Sequence, residues 1–371
     1  MRVLVLSASY GSGHNMAALG VAAALEREGA SVAVRDHFRE FVHPRFEQVT
    51  RALYTWMLRR VPLAWAAAYE LADRMAVDSA LSFGATRVGL ARLARHLADE
   101  SPDAVVTVHA TPAVVMSALV AEGRRVPPHT TVVTDFVAHA QWMAPRIDRY
   151  CVPASEVAHE FVARGIPAER VVVTGVPVRP EFDESVSQLE ARLALGLRPD
   201  VPVVLAMAGS EGGLGRLGGV VEALGRLERP LQSVVVAGRD IRLAQRLARA
   251  ARGRDIRVLS WASDVRRLMA AADLLVTKAG GMTLAEAIAA ELPLVTYGSL
   301  PGQERRNERF ATRAGIAFTA RSPRELAATL DRALGDPAIL DRLRRNIRRM
   351  RRACPARNVA RTLLDLAAVP A

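Results

Sequence analysis

The strongest constraint on the fold is an alternation that runs along the chain twice. Short runs rich in Val, Leu and Ile lie near 2–7, 31–35, 103–108 and 130–134, and again near 202–208, 232–236, 256–260, 273–277 and 292–296. Between those of the second series, helical patterns fall at 215–226, 240–252, 264–271, 283–290 and 303–313. Strands that read as unbroken apolar runs are buried on both faces, which requires parallel sheets covered by helices on either side. A chain of 371 residues is too long for one ordinary core. The expectation is an α/β protein of two doubly wound, Rossmann-like domains facing a central cleft. The first would span 1–178 and the second 188–350, joined by the acidic, proline-containing VPVRPEFDESVS, with 351–371 a C-terminal helix packing back toward the N-terminal domain. In such folds ligands bind at the carboxyl ends of the strands.

The segment from about 38 to 98 breaks the alternation. With residues 36 and 37 it holds Phe38, Phe41, Phe46, Tyr54, Trp56, Trp65, Tyr69 and Phe83, eight of the chain's 18 aromatic residues. In TRALYTWMLRRVPLAWAAAYELADRM, aromatic and apolar residues surround Arg59-Arg60 and Pro62. That mixture suits an interfacial helix pair or an apolar acceptor pocket. An inserted helical layer packing on its own domain is the alternative.

Charge is uneven. Residues 1–185 carry 19 arginines against 20 acids, while 186–371 carry 31 basic residues against 18 acids. Most of the surplus lies in DRLRRNIRRMRRACPARNVAR, which can meet anionic lipid headgroups or nucleic acid, or can simply be a solvated face. Lys278 is the sole lysine among 50 basic residues, a bias that reflects coding composition and weakens arginine richness as a sign of a polyanion partner. Two distant cysteines, Cys151 and Cys354, make no disulfide framework and point to a reducing cytosol. With neither a signal-peptide pattern nor an 18-residue apolar run, the expectation is a protein that is soluble or lies on a membrane surface.

Three loops carry chemistry. SASYGSGHNMAA, residues 7–18, follows the first strand, but Met16 stands where a dinucleotide fingerprint needs its third glycine, and it lacks the lysine of a P-loop. It is a sharp turn at a helix start that aims His14 from the first turn, unless His14 only caps or packs locally. In the second half, LLVTKAGGMTLAEA turns at Gly280-Gly281 and opens a helix at Met282-Thr283, a start suited to a diphosphate. Glu286 is either the partner of Thr283 in a capping box or a carboxylate for a ribose diol. PGQERRN presents Gln303, Glu304 and Asn307 to a sugar, and MAGSEGGLG supplies Gly209 and Ser210 as a second phosphate-facing loop.

Together these segments resemble the GT-B glycosyltransferases that include plant monogalactosyldiacylglycerol synthases, bacterial processive diacylglycerol glucosyltransferases and, more distantly, the peptidoglycan lipid-intermediate N-acetylglucosaminyltransferase. The resemblance covers nearly the whole chain. Its diacylglycerol branch shows T-D-x-x-x-H-x-x-W and P-G-Q-E motifs, matched here by Thr134, Asp135, His139 and Trp142 and by Pro301, Gly302, Gln303 and Glu304. The resemblance implies an inverting hexosyltransferase that moves sugar from UDP-glucose or UDP-galactose to diacylglycerol. It makes His14 the base or a lipid-positioning residue, with Asp135 and His109 in reserve. It assigns Gly13, His139, Trp142, Trp56 and Trp65 to the acceptor. For the donor, Glu286 would hold the ribose, Gly281, Met282 and Thr283 the diphosphate with Gly209 and Ser210, Gln303, Glu304 and Asn307 the sugar, and Trp261-Ala262 the uracil. No metal, no cofactor and no nucleic-acid partner are expected; an anionic membrane lipid surface is, at the inner face of the cell membrane in the cytoplasm. Competing readings are transfer to a polyprenyl lipid or secondary metabolite, and a non-catalytic nucleotide-sugar-binding, membrane-docking protein.

Overall fold

A computed structural model describes residues 1–9, 12–74, 88–209 and 216–368. The chain divides into two compact units, Met1–Pro180 with Arg352–Ala371, and Glu181–Arg351.

In the first unit the strands are β1 Arg2–Ser7, β2 Ser31–Asp36, β3 Ala104–Thr107, β4 His129–Val132, β5 Arg149–Val152 and β6 Val171–Val173. They form one parallel sheet in the order β2-β1-β3-β4-β5-β6. The helices are α1 Ser12–Arg27, α2 Pro44–Arg60, α3 Pro62–Arg74, α4 Leu90–Glu100, α5 Ala110–Ala121 and α6 Ser155–Ala163. Val3 to Leu6 are buried, as an apolar central strand must be. The last helix, Pro355–Ala368, lies on α1 with Val359, Ala360 and Leu363 fully buried, and Asn358 Nδ2 donates to the Thr174 carbonyl at 3.3 Å.

The second unit holds β7 Val203–Met207, β8 Gln232–Val236, β9 Ile256–Leu259, β10 Leu274–Thr277, β11 Leu294–Tyr297 and β12 Ala317–Ala320. This sheet too is parallel, in the order β12-β11-β10-β7-β8-β9. Its helices are α7 Gln188–Ala194, α8 Leu217–Leu224, α9 Ile241–Ala250, α10 Val265–Ala271, α11 Gly281–Ala289, α12 Gln303–Arg313, α13 Pro323–Gly335 and α14 Pro337–Met350.

Both sheets are the expected doubly wound kind, and all nine anticipated strands are present. Three were not anticipated: β5, β6 and β12. Their sequences, RYCV, VVV and AFTA, are short or interrupted by polar residues, and β6 and β12 sit at sheet edges where one partner suffices. The division between the units falls inside VPVRPEFDESVS; Val176, Val178 and Phe182 in it are buried, with the Arg266 guanidinium 5.8 Å from the Phe182 ring centre, and Asp183, Glu184 and Ser185 are exposed.

The irregular stretch is helical where described. A π-helix, His37–Val42, precedes α2 and α3, and among the described residues Val49, Leu53, Trp56, Leu63 and Leu71 of that helix pair are exposed. Among the described residues no helix is long and apolar enough to cross a membrane. Part of the basic run is already neutralised: Arg348 and Arg351 pair with Glu291 at 2.6 and 3.1 Å, and Arg344 approaches Asp273 at 3.8 Å.

One close approach fixes α1. A Cβ on Gly20 would lie 2.5 Å from the Val178 carbonyl oxygen, too near for either backbone to keep its place. Gly20→Ala should therefore cost about 1–3 kcal/mol of stability, as overpacking of a tight interior does. A denaturant titration of wild type and variant measures this; equal midpoints would mean that α1 can move off residue 178 freely.

Candidate active site

A doubly wound sheet opens a crevice where successive connections leave a strand in opposite directions. In the first unit this switch point falls between β1 and β3, in the second between β7 and β10. The loops that follow those four strands hold His14, His109, Gly209 and Lys278.

In the first unit, helix α1 places His14 in its first turn, half-buried. His14 Nδ1 lies 2.8 Å from the carbonyl oxygen of Val108. A carbonyl only accepts, so Nδ1 carries the hydrogen and Nε2 keeps the lone pair. The Thr134 hydroxyl sits 3.2 Å from the same Nδ1. Burial pushes the His14 pKa below its ordinary value, while the Asp135 charge and the Val108 hydrogen bond oppose that shift. The ring is thus held neutral, in one tautomer, with a basic nitrogen unused by that bond.

His109 lies beside it, ring centres 4.7 Å apart and edge to face. It caps α5: its Nδ1 accepts from the Thr111 N–H at 3.1 Å, which leaves the hydrogen on Nε2. Burial lowers its pKa well below the ordinary value, and His14 and His37 add to the shift. Trp142 closes over the pair, 6.4 Å from each ring, with its indole N–H donating to Asp135 at 3.2 Å. In the T-D-x-x-x-H-x-x-W stretch, Thr134 lies beside His14, Asp135 holds Trp142, and His139 bonds to the backbone of Gln141 and Tyr69. Both His139 nitrogens are engaged, Nδ1 accepting from the Gln141 N–H at 3.2 Å and Nε2 donating to the Tyr69 carbonyl at 3.1 Å. That ring secures α3.

Gly13 adjoins His14 on α1. Trp56 is exposed, and Trp65 packs edge-on against Tyr54 at 5.0 Å, so both belong to the helix pair α2 and α3. Sequence reasoning missed the polar brace behind the loop. Ser7 donates to the Asn15 side-chain oxygen at 2.6 Å, Asn15 donates to Ser9 at 3.3 Å, and Ser9 donates to Asp36 at the end of β2.

In the second unit the helix starts separate into two groups. Helices α7, α9, α10, α13 and α14 are capped by side chains of Ser187, Asp240, Asp264, Ser322 and Asp336. Helices α8, α11 and α12, which follow β7, β10 and β11, have no side-chain cap. The Gly219 and Arg305 N–H groups in those first turns bond to the Arg216 and Leu300 carbonyls; a helix start without a side-chain cap can also take an anion as acceptor. Gly281, Met282 and Thr283 form the first turn of α11, whose N-cap is Gly280. The capping-box reading of Thr283 and Glu286 is therefore corrected: Thr283 stands inside the helix, and Glu286 is a buried second-turn residue.

Gly302 adopts φ +88°, ψ −126°, a conformation that only glycine takes without strain, and so turns the chain into α12. Gln303 and Glu304 begin that helix. Glu304 accepts from the Leu300 N–H at 2.8 Å and pairs with Lys278. Asn307 is fully buried and donates to the Ala279 carbonyl at 3.2 Å, which fixes the loop after β10. Gly209 sits at φ +76°, and Ser210 lies outside the described residues. Trp261 is half-exposed beside Ala262, with the Arg239 guanidinium 5.0 Å from its ring centre, a partner that sequence reasoning also missed.

This architecture is that of GT-B glycosyltransferases. The whole chain superposes on MurG of Acinetobacter baumannii with a TM-score of 0.68 at 19% identity, covering 98% of this chain and 99% of that one. The calicheamicin glycosyltransferase CalG4 gives 0.66 at 16% identity with complete coverage of both. A family profile described as monogalactosyldiacylglycerol (MGDG) synthase matches residues 14–178, and one described as glycosyl transferases group 1 matches 214–350. The chloroplastic monogalactosyldiacylglycerol synthase of Spinacia oleracea is 32% identical over 353 residues, 91% of this chain and 67% of that protein. The processive diacylglycerol beta-glucosyltransferase of Bacillus subtilis is 28% identical over 349 residues, 94% and 90% of the two chains. The chain belongs to this family of monogalactosyldiacylglycerol synthases and processive diacylglycerol glucosyltransferases, and it is a hexosyltransferase.

The buried imidazoles make stability depend on pH. His14, His37 and His109 all have folded pKa values below the ordinary 6.5. Between those values and 6.5 the unfolded chain binds protons that the folded chain refuses, so stability is complete above 6.5 and falls as the solution is acidified. Each group contributes up to about 1.4 kcal/mol per pH unit inside its window. Urea unfolding at pH 7.5, 6.5 and 5.5 should show the decline, and His109→Gln should flatten it. A wild-type stability that is level over this range would contradict neutral burial of the cluster.

Proposed function

We propose that the chain transfers glucose or galactose from a UDP-sugar to the hydroxyl of diacylglycerol, with inversion at the anomeric carbon. The observation that carries this reading is the fixed tautomer of His14. An inverting transfer needs one base at the acceptor oxygen and strong stabilisation of the departing diphosphate. In this reading the acceptor O–H donates its proton to His14 Nε2 as the oxygen attacks, and UDP leaves from the opposite face. Asp135 favours the imidazolium that forms, and the Val108 carbonyl keeps the ring aimed. His109, whose Nδ1 caps a helix, serves better as a neighbour than as the base.

The donor belongs to the second unit. The uncapped starts of α8, α11 and α12 can bind the diphosphate oxygens, Glu286 the ribose, Trp261 and Ala262 the uracil, and Gln303 with Glu304 the sugar hydroxyls. The names of the Spinacia and Bacillus relatives support diacylglycerol over a polyprenyl or secondary-metabolite acceptor. The exposed apolar residues of α2 and α3, with Arg45 and Arg60 on the same pair, support docking to an anionic membrane surface at the cytoplasmic face.

Purified protein supplied with diacylglycerol in mixed micelles and labelled UDP-glucose or UDP-galactose should form a labelled glycolipid. His14→Ala should slow that transfer roughly 10²–10⁴-fold through the chemical step, with UDP affinity nearly unchanged. A loss confined to the apparent acceptor affinity would make His14 a headgroup-positioning residue. Transfer at the wild-type rate would remove it from the mechanism.

Glu286→Ala should weaken UDP binding by about 1.5–3 kcal/mol, the worth of a charged hydrogen bond to the ribose. Calorimetry with UDP tests this, and unchanged affinity in a folded variant would end the ribose assignment.

A further inference from the structure

In a chain that uses arginine at every other basic position, the single lysine stands at the end of β10, on the switch point of the second sheet. Its side chain is only 19% exposed and forms an ion pair with Glu304, itself 13% exposed. A Cβ placed on Gly209 would lie 3.6 Å from Lys278 Cε, an ordinary contact distance, so the end of the lysine stem passes beside Gly209. The ammonium thus stands among three strand ends, those of β7, β10 and β11, whose helices α8, α11 and α12 are the ones without side-chain caps.

Composition alone does not explain this lysine. A bias that turns basic positions into arginine leaves lysine where the guanidinium fails. Here the stem passes beside Gly209 and the head meets Glu304 at the start of α12. An ammonium offers three donors on a small centre, against the wide planar fork of arginine.

We propose that Lys278 is the charged counter-group of the donor diphosphate, and that Glu304 holds its ammonium until the donor binds. The inference rests on the nucleotide-sugar reading above. Uncapped helix starts supply partial positive charge, which solvates phosphate oxygens without neutralising them. Lys278 adds a full positive charge at the same place. Binding then exchanges one partner of the ammonium for another. As phosphate takes the ammonium, one Glu304 oxygen is released to accept from a sugar hydroxyl, while the other keeps the Leu300 N–H. When the bond to the sugar breaks, negative charge grows on the departing diphosphate, and the ammonium is already beside it.

The test compares UDP and uridine, which differ in the diphosphate, by calorimetry on wild type, Lys278→Met, Lys278→Arg and Glu304→Gln. Lys278→Met should lose about 10- to 100-fold in UDP affinity and leave uridine affinity within about twofold. Lys278→Arg should recover only part of the loss, because a planar fork cannot present its donors from one small centre as an ammonium does. Glu304→Gln removes the competitor for the ammonium, so UDP should bind as tightly as to wild type or more so, while transfer slows. Equal UDP affinity in wild type and Lys278→Met would overturn the assignment of the lysine alone. Equal losses of UDP and uridine in Lys278→Met, or weaker UDP binding by Glu304→Gln, would make the pair a structural clasp and overturn it too. A wild-type chain that binds no UDP would instead sink the nucleotide-sugar reading itself.

Discussion

Everything at the candidate site depends on the requirement that a parallel sheet be covered on both faces. Helices over the faces leave only the strand ends open, and the connections force the chain to part in opposite directions at one place in each sheet. The chemistry-bearing residues stand at those places. His14 follows β1 and His109 follows β3, on either side of the first switch point, and Gly209 follows β7 and Lys278 follows β10, on either side of the second. Strands such as Val3–Leu6 and Leu274–Val276 are buried to within a few per cent and carry no functional side chain, because they have no free surface on which to carry one.

The units prepare opposite electrostatics at their crevices. In the first, burial beneath a shared wall of Trp142 keeps two imidazoles neutral, and for His109 the nearness of His14, 4.7 Å away, adds to the effect. Their hydrogen bonds select different tautomers, because His14 faces a carbonyl and His109 faces an N–H. In the second, three helix starts lack caps and one lysine stands among them. Capping is worth about 1 kcal/mol per helix. Side-chain caps are present at α7, α9, α10, α13 and α14 and lacking at α8, α11 and α12, the helices that follow β7, β10 and β11.

Much of this was legible in the sequence, for identifiable reasons. The central strands announced themselves because burial on both faces demands apolar runs, and α12 was read to its ends, residues 303–313. The edge strands β6 and β12 were missed because one-sided pairing does not demand such runs. The glycine loops and P-G-Q-E were visible because backbone geometry restricts residue type, as Gly302 shows at φ +88°. What local spacing could not reveal was pairing across distance. Glu286 matched the spacing of a capping box, yet the helix begins at Gly281 and the box does not form. Ser9 with Asp36, and Asp73 with the Ala140 N–H at 2.7 Å, join segments 27 and 67 residues apart, and only the fold brings them together.

The histidine and the lysine carry different lessons about reading composition. His14 was conspicuous because it interrupts a glycine loop, and its meaning came from one carbonyl, that of Val108, 94 residues away. Lys278 was hidden inside a composition that seemed to explain it. A global bias toward arginine accounts for the arginines; it makes the one lysine more informative, since the same pressure acts on that position as on the others. Its location supplies the physical reason. The stem passes beside Gly209, and the head meets Glu304 at the entrance of α12. An ammonium there carries three donors on a small centre, where a guanidinium would bring a wide planar fork. The exception to a compositional rule thus lies where the His14 loop lies, at strand ends beside a switch point, the place that a doubly wound sheet leaves open.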